Sequence, residues 1–374
     1  MEDAFLAGFI RTPFQPAGLS PLAKMKPEDL AAVALHGLIS RANIDPASLD
    51  EVVLGCAYPQ STQGANVARL AALLARIPVE VPGLTVSRFG GSSISAIHYA
   101  AGQICCAAGE AYLTGGVELT DLNPCLDPVA EPNRRVLEAY VGLGDTAEAL
   151  ADRYRITRSD QERITLASHN KALAAQAGGY LTDEIAPVRC VDGLVETDGC
   201  PNRDLDMAAL QSIPPLLRPE GSLTKATVAP FADGAAAVLV TSAGYARQFN
   251  LPLMARIRAV AAVGCAPQTM GLAAVAASRK ALAMAELSID EMDVIELGEV
   301  FASQVMACVQ ELRAPWEKVN IDGGALAFGQ PLGATGARIT GKAAQILGRR
   351  KGRFALAAQS SAGGQGVATI LEAV

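Results

Sequence analysis

Short and long apolar runs alternate along the first third of the chain. Short runs with β-branched residues predict strands at 51–54, 84–87 and 111–115, and longer alanine-rich runs predict helices at 66–74 and 93–108. Strands that alternate with helices in this way are typical of α/β proteins. The pattern therefore predicts an α/β fold.

A second series of strands and helices is predicted in the last third of the chain. Its strands fall at 255–263, 294–297, 354–358 and 366–371, and its helices fall at 272–285, 301–312 and 333–347. The two series predict one topology that occurs twice.

The region between the two series differs from both. Residues 119–230 are richer in charge, proline and turn residues, with one helix predicted at 158–177. We therefore predict an inserted loop domain at 119–230, an N-terminal half formed by 1–118 and 231–250, and a C-terminal half at 251–374.

Composition narrows the possible partners and the location. Half of the 374 residues are apolar, which allows a substantial core. A net charge of −7 argues against general nucleic-acid binding, because phosphate recognition needs a basic surface. The dense basic run at 349–353 is expected to be a solvated turn after a helix. The sequence shows neither a signal-type N-terminus nor an apolar run of about 18 residues, so a cytoplasmic protein without membrane association is expected.

The cysteines and histidines do not suggest a metal site. Eight cysteines and three histidines are spread along the chain without the spacing of metal ligands. The adjacent Cys105 and Cys106 fall in an apolar helix and are expected to be packed thiols. Neither a metal nor another cofactor is expected.

Eight short segments carry a family resemblance. They lie at 10–14, 64–69, 81–82, 115–118, 270–271, 293–304, 323–324 and 331–338. In order and spacing they resemble the thiolases, in particular the degradative 3-ketoacyl-CoA thiolases, over nearly the whole chain. The resemblance implies the thiolase fold, with two similar βαβαβαββ halves in five αβαβα layers and an inserted loop domain over the site.

The resemblance also implies partners. It suggests a homodimer or a tetramer built as a dimer of dimers, because oligomers are typical of the family. CoA or an acyl-CoA is the implied ligand. A catalytic partner thiolase or a small acyl-CoA-binding companion is a reasonable associate for a member with altered chemistry.

Thiolase chemistry needs four side chains, and the resemblance places other residues at all four positions. The acyl-accepting cysteine aligns with Gly90 and the water-holding asparagine aligns with Gly298. The activating histidine aligns with Gln330 and the acid/base cysteine aligns with Ser360. Glycine offers no nucleophile, glutamine takes no proton at neutral pH, and serine without an adjacent base is a weak acid. The resemblance therefore implies loss of ordinary thiolysis.

The ligand-binding positions are altered as well. Ala229 replaces a serine that contacts the pantetheine arm in the family, whereas Lys225 is available to a phosphate. Met270 occupies a family position near the acyl pocket, and Phe301 ends the motif that begins at Gly298. We expect Lys225, Ala229, Met270 and Phe301 to contact a ligand.

Three features allow other interpretations. Residues 90–93 form either the mouth of a nucleophile-bearing helix or a tight turn with a serine N-cap, and Ser92 is a replacement nucleophile only if a base lies near it. Residues 336–342 spell a phosphate-loop pattern, but Ala343 stands where serine or threonine is required, so a thiolase helix is favoured. His98 is expected in the wall of the site.

Two functions remain as hypotheses. The first is a thiolase-fold protein that binds an acyl ligand or serves a partner as a subunit. The second is an active acyl-CoA C-acyltransferase, for thiolysis, Claisen condensation or its reverse, that uses displaced residues. Gln330, Ser360, Ser92 and Glu299 are then the groups to suspect.

Overall fold

The computed structural model describes residues 2–119, 139 and 141–374, and its central feature is one large mixed sheet. The strands of this sheet are β1 (Ala4–Arg11), β2 (Gln15–Pro16), β3 (Glu51–Gly55), β4 (Gly83–Val86), β5 (Ala111–Glu118), β8 (Ala232–Ser242), β9 (Ala255–Gly264), β10 (Val294–Leu297), β11 (Phe354–Ser361) and β12 (Gln365–Glu372). A small separate hairpin is formed by β6 (Val188–Cys190) and β7 (Gly193–Val195).

The strand order shows that one topology occurs twice. The large sheet has the order β10-β11-β12-β9-β1-β8-β5-β3-β4, with β2 paired to β8 outside this path. On one side of the β1–β9 contact, β1, β8 and β5 are antiparallel neighbours and β5 runs parallel to β3. On the other side, β9, β12 and β11 are antiparallel neighbours and β11 runs parallel to β10. The predicted α/β class and its duplication are confirmed.

Helices cover and separate these strands. They are α1 (Pro27–Ala42), α2 (Val67–Leu74), α3 (Ser92–Cys105), α4 (Leu143–Tyr154), α5 (Arg158–Ala177), α6 (Met207–Ser212), α7 (Ala243–Gln248), α8 (Ala273–Ala285), α9 (Ala302–Leu312), α10 (Ala325–Phe328) and α11 (Leu332–Arg350).

Three large apolar clusters match the five layers that the resemblance implies. One lies between α1, α2 and the strands of the N-terminal half, and another lies between α8, α9 and the strands of the C-terminal half. The third, in the middle, is formed by α3, α11 and strand residues of both halves. Because α3 and α11 pack against each other between the half-sheets, the turn between β4 and α3 lies close to elements of both halves.

Local signals explain where the predicted elements begin and end. The predicted helix at 93–108 ends at Cys105, because Ala107 has a left-handed φ of 56°. The predicted helix at 333–347 extends through Arg350 and ends at Lys351, which is also left-handed. The predicted turn is therefore wrong for Arg349 and Arg350, which belong to this helix. Arg350 and Lys351 are exposed as expected, but Arg349 donates two hydrogen bonds to Asp322, at 2.6 and 2.9 Å.

The region between β5 and β8 contains α4, α5, α6 and the β6–β7 hairpin. Helix α5 occupies the range that the sequence predicts, and a reciprocal capping box between Thr157 and Asp160 starts it. Residues 120–138 and 140, which belong to the predicted loop domain, lie outside the described residues. The division into three domains stays a prediction.

A buried ionic network ties this inserted region to both halves. Arg11 of β1 donates to Glu184 at 2.7 Å and to both carboxylate oxygens of Asp198, at 2.6 and 2.8 Å. Lys342 of α11 pairs with Glu184 and, at 3.3 Å, with Asp322. The Arg11, Glu184, Asp198 and Lys342 side chains are at most 2% exposed, so these charges depend on each other rather than on water.

No helix in the described ranges is both long and apolar enough to span a bilayer.

Candidate active site

The turn between β4 and α3 has the shape of a nucleophile-bearing turn without a nucleophile. Phe89 has a φ of 44°, a strained conformation for an aromatic residue, and Gly90 follows it. The helix begins at Ser92 after an N-cap at Gly91 that has no side chain to offer, so the predicted serine N-cap is wrong. The strained backbone is present, and Gly90 lines a cavity.

That cavity is mainly apolar. Residues from seven separate stretches of the chain line it, including three of the predicted catalytic positions, Gly90, Gln330 and Ser360. The other lining residues are Tyr58, Phe89, Leu143, Thr146, Ala147, Leu150, Met270, Gly271, Val300, Phe301, Gln304, Leu332, Ser361 and Ala362. The fold therefore brings the predicted catalytic positions of both halves to one place.

Gly298, the fourth predicted catalytic position, is outside the cavity lining and lies against a residue that the sequence analysis did not single out. A Cβ built on Gly298 would lie 3.0 Å from Cδ of Gln359, and a Cβ built on Gly90 would lie 2.7 Å from Nε2 of the same side chain. Gln359 is fully buried. Its amide therefore fills the space next to both missing side chains.

Gln330 presents its amide at the same place. Its Nε2 would be 3.6 Å from a Cβ on Gly90, and its side chain is almost fully buried. The backbone holds the position, since Gln330 N donates to Pro230 O at 2.9 Å and Gly329, with a φ of 78°, makes the preceding bend. Two amide side chains thus lie next to the position that a Cβ of residue 90 would take.

Ser360 is already occupied by structural hydrogen bonds. Its Oγ donates to Gly271 O at 3.0 Å and accepts from Ala274 N at 3.0 Å. These bonds tie β11 to the start of α8. A hydroxyl held in this way is poorly placed to exchange a proton with a ligand.

Two of the four predicted ligand-binding residues line the cavity. Met270 and Phe301 are both buried in its wall. Lys225 is exposed and Ala229 is buried outside the lining, but Ala229 N donates to Val300 O at 3.0 Å, beside Phe301. The segment predicted to hold the pantetheine arm therefore borders the wall of the cavity, and ligand contact by all four residues stays a prediction.

The proposed replacement groups have structural partners. Ser92 Oγ donates to Phe89 O at 2.5 Å and accepts from Arg88 N at 2.8 Å. Glu299 accepts from Ser168 Oγ at 2.8 Å, Asn320 Nδ2 at 2.6 Å and Leu326 N at 3.0 Å, outside the cavity lining. Both side chains stabilise local structure.

The three histidines all lie outside the cavity lining. His98 shares a hydrogen bond with Thr369 Oγ1 at 2.9 Å, and burial, with a contribution from Arg88, lowers its pKa to about 3. His169 Nδ1 accepts from Asn202 N, and burial lowers its pKa to about 4. His36 is exposed on α1. Both shifted histidines are neutral at pH 7, in keeping with structural positions.

The thiols offer little to this site. The prediction for the pair at the end of α3 is wrong for Cys106, which is exposed, and Cys105 is only partly buried. Cys308 donates to the backbone oxygen of Gly271 in the cavity wall, and burial raises its pKa to about 12. A thiol with that pKa is a poor nucleophile at neutral pH. The described residues contain no cluster suited to a metal ion.

The phosphate-loop pattern at 336–342 lies inside α11. Its backbone N–H groups belong to the helix, and Lys342 is buried in the ionic network. This placement agrees with the favoured interpretation as a helix of the fold.

The residues that sequence reasoning missed are Gln359 and Ser361. Both lie in β11 beside Ser360, and Ser361 Oγ is buried and has no hydrogen-bond partner in the described part of the chain. The available signal was three consecutive polar residues at the end of an otherwise apolar strand. Such a run is unusual where both faces of a strand are buried.

The duplicated fold, with the cavity where its two halves meet, is the architecture of the thiolases, a class of acyl-CoA acyltransferases. The chain belongs to the thiolase family: the family description "Thiolase, N-terminal domain" matches residues 4–244, and "Thiolase, C-terminal domain" matches residues 251–373.

Curated relatives match over full length. The chain is 38% identical over 390 residues to a 3-ketoacyl-CoA thiolase of Pseudoalteromonas translucida, and 37% identical over 405 residues to a beta-ketoadipyl-CoA thiolase of Acinetobacter baylyi. Each alignment covers 100% of both chains.

Solved structures agree. Human mitochondrial 3-ketoacyl-CoA thiolase in complex with CoA superposes with a TM-score of 0.92 at 30% identity, covering 100% of this chain and 98% of the human one. The Bacillus anthracis acetyl-CoA acetyltransferase gives 0.90 at 32% identity, covering 100% and 99%.

Proposed function

We propose that this thiolase-family protein binds an acyl-CoA thioester in the cavity without transferring the acyl group to one of its own side chains. In this role the protein is an acyl-ligand-binding protein, or a subunit in a complex with a partner protein. The observation that carries the proposal is the combination of an apolar cavity with Gly90 at the position of the acyl acceptor. Covalent catalysis needs a nucleophile and a base in contact, and the described lining residues place no histidine, lysine or carboxylate beside the hydroxyls of Ser360 and Ser361.

The ligand class follows from the lining. Leu143, Leu150, Met270 and Phe301 offer apolar contacts to an acyl chain, and the amide of Gln330 offers hydrogen bonds to a polar head. The human relative was solved with CoA. An acyl chain attached to CoA therefore suits this cavity better than a charged or highly polar ligand.

The second candidate is an active acyl-CoA C-acyltransferase, and the relatives favour it. Those named above are thiolases and an acetyltransferase, and they match over full length. Under this candidate Gln330, Ser360 and Ser92 carry the reaction with Glu299 as acid or base. The hydrogen bonds of Ser92, Ser360 and Glu299 count against it, because each would have to be broken first.

Calorimetry and turnover separate the two candidates. Titration of the protein with acetyl-CoA and a medium-chain acyl-CoA is expected to show saturable binding, and Ser360→Ala is expected to leave that binding unchanged. Under the second candidate, Ser360→Ala and Gln330→Ala would each lower turnover of a 3-ketoacyl-CoA by about 10²-fold or more. Ser278→Ala, which removes a buried serine of α8 outside the cavity lining, is the control. The absence of heat with either acyl-CoA would refute the binding proposal.

We also propose a homodimer or tetramer and a cytoplasmic location. In support of self-association, β4 lies at an edge of the large sheet, half-buried along its length. An edge strand offers unpaired backbone groups to a second copy.

A further inference from the structure

We infer that the amides of Gln330 and Gln359, with the hydroxyl of Ser361, form a non-covalent binding site for the carbonyl oxygen of an acyl thioester. This inference rests on the proposed function and specifies which part of the ligand is recognised. Two of these three residues lie outside the catalytic positions that the family resemblance assigns.

The first argument is the unmet hydrogen-bonding capacity of Gln359. Both its Nε2 and its Oε1 are buried and lack a hydrogen-bond partner among the described residues. Leaving such a group unpaired costs about 1–3 kcal/mol. A ligand carbonyl oxygen that accepts a hydrogen bond from Nε2 would remove part of this cost.

The second argument is that Ser361 points to the same place. Its Oγ is also unpartnered within the described ranges, the residue is 4% exposed, and it lines the cavity. A Cβ built on Gly91 would lie 2.7 Å from this oxygen. The hydroxyl therefore stands beside the same turn that Gln359 touches.

The third argument is the distance of the two amides from the position that a Cβ of residue 90 would take. Nitrogen atoms of Gln359 and Gln330 lie 2.7 and 3.6 Å from the point where a Cβ of residue 90 would be. Gly90 and Gln330 line the cavity, whereas Gln359 is buried behind the lining on the side where Gly90 lacks a Cβ. A ligand oxygen would therefore reach the Gln359 N–H group through the position that glycine leaves free. The lost asparagine amide of position 298 is thus replaced by the Gln359 amide, which approaches from β11 instead.

The chemistry of this arrangement is recognition without transfer. Amide and hydroxyl groups donate hydrogen bonds to a carbonyl oxygen and polarise it, as oxyanion-stabilising donors do. A neutral acceptor is preferred to a free carboxylate, because the described residues that line the cavity include no cation to offset a buried charge. Thioester and 3-oxo carbonyl groups meet this requirement.

Infrared spectroscopy of a bound, carbonyl-labelled ligand tests the inference. Acetyl-CoA with 13C at the thioester carbonyl is mixed with wild-type protein, with Gln359→Met and with Gln345→Met. The wild type is expected to lower the carbonyl stretching frequency of the bound ligand, and Gln359→Met is expected to reduce this shift and weaken binding about three- to tenfold, the effect of one lost hydrogen bond. Gln345→Met removes a half-buried amide outside the cavity lining, whose Oε1 also has no hydrogen-bond partner among the described residues, and should change neither.

Thermal unfolding of the ligand-free proteins separates recognition from structural support. Methionine has a similar length without polar atoms, so Gln359→Met is expected to stabilise the ligand-free protein, whereas a structural amide would lose stability on this change. If the wild type binds acetyl-CoA but Gln359→Met binds it equally well with the same carbonyl frequency, the inference is wrong and the proposed function stands. If the wild type does not bind acyl-CoA at all, both are wrong.

Discussion

Restoring a cysteine at position 90 alone is expected to leave the protein without thiolysis activity and to lower its stability. The new Cβ would lie 2.7 Å from Gln359 Nε2, a distance that real side chains avoid. The amide has little room to move, because it is fully buried and also lies against Gly298. Overpacking of this kind costs about 1–3 kcal/mol. Thermal unfolding and a thiolysis assay with a 3-ketoacyl-CoA and CoA measure the two effects.

Activity is expected to return only when the surroundings change together with position 90. The combined variant Gly90→Cys, Gly298→Asn, Gln330→His, Gln359→Ala and Ser360→Cys restores the four side chains and removes the amide that blocks two of them. We expect thiolysis to rise by about 10²-fold or more over the single variant. Gly102→Cys is the stability control, because a Cβ on Gly102, in the helix α3 that follows position 90, meets no atom within 4 Å. Thiolysis by Gly90→Cys alone at the level of the combined variant would contradict this prediction.

Replacing Arg11 by methionine is expected to cost about 3–5 kcal/mol of folding free energy. The substitution leaves the buried carboxylate of Asp198 without its two guanidinium hydrogen bonds and takes one partner from Glu184. Removing one member of a buried ion pair leaves an uncompensated charge, which is the costly part. Denaturant-induced unfolding measures the change.

Arg256→Met is the matched control for this prediction. Arg256 lies on β9, the counterpart of β1 in the second half, and pairs with Asp3 at 2.7 Å. Its side chain is 33% exposed and that of Asp3 is 49% exposed, so the loss should be about 0–1 kcal/mol. Similar losses for the two variants would show that the buried network does not have the expected role.

Some elements could be predicted from the sequence because local pattern determines them. Helix α5 was predicted at its observed range because a capping box begins it and glycines follow it. Strands β1 and β8 were not among the predicted elements. The 11 residues of β8 are all buried, so they show none of the alternation that marks a half-exposed strand.

The candidate site was predictable only in part, for a related reason. Gly90, Gln330 and Ser360 were found because motifs surround them, and the fold brings them together at one cavity. Gln359 was missed because its importance lies in contacts with Gly90 and Gly298, which are distant along the chain. Those contacts arise only when the two halves pack around α3 and α11, and no local pattern reports them. The ionic partners of Arg11 were hidden in the same way.

The most direct test of the central claim is the intact mass of the protein after incubation with acetyl-CoA and with a 3-ketoacyl-CoA. The account predicts an unchanged mass for the wild type under conditions in which the combined five-residue variant gains an acyl group. An acyl adduct on the wild type that maps to a serine or cysteine of the cavity wall, such as Ser360 or Ser361, would contradict the account and establish covalent catalysis through a displaced residue.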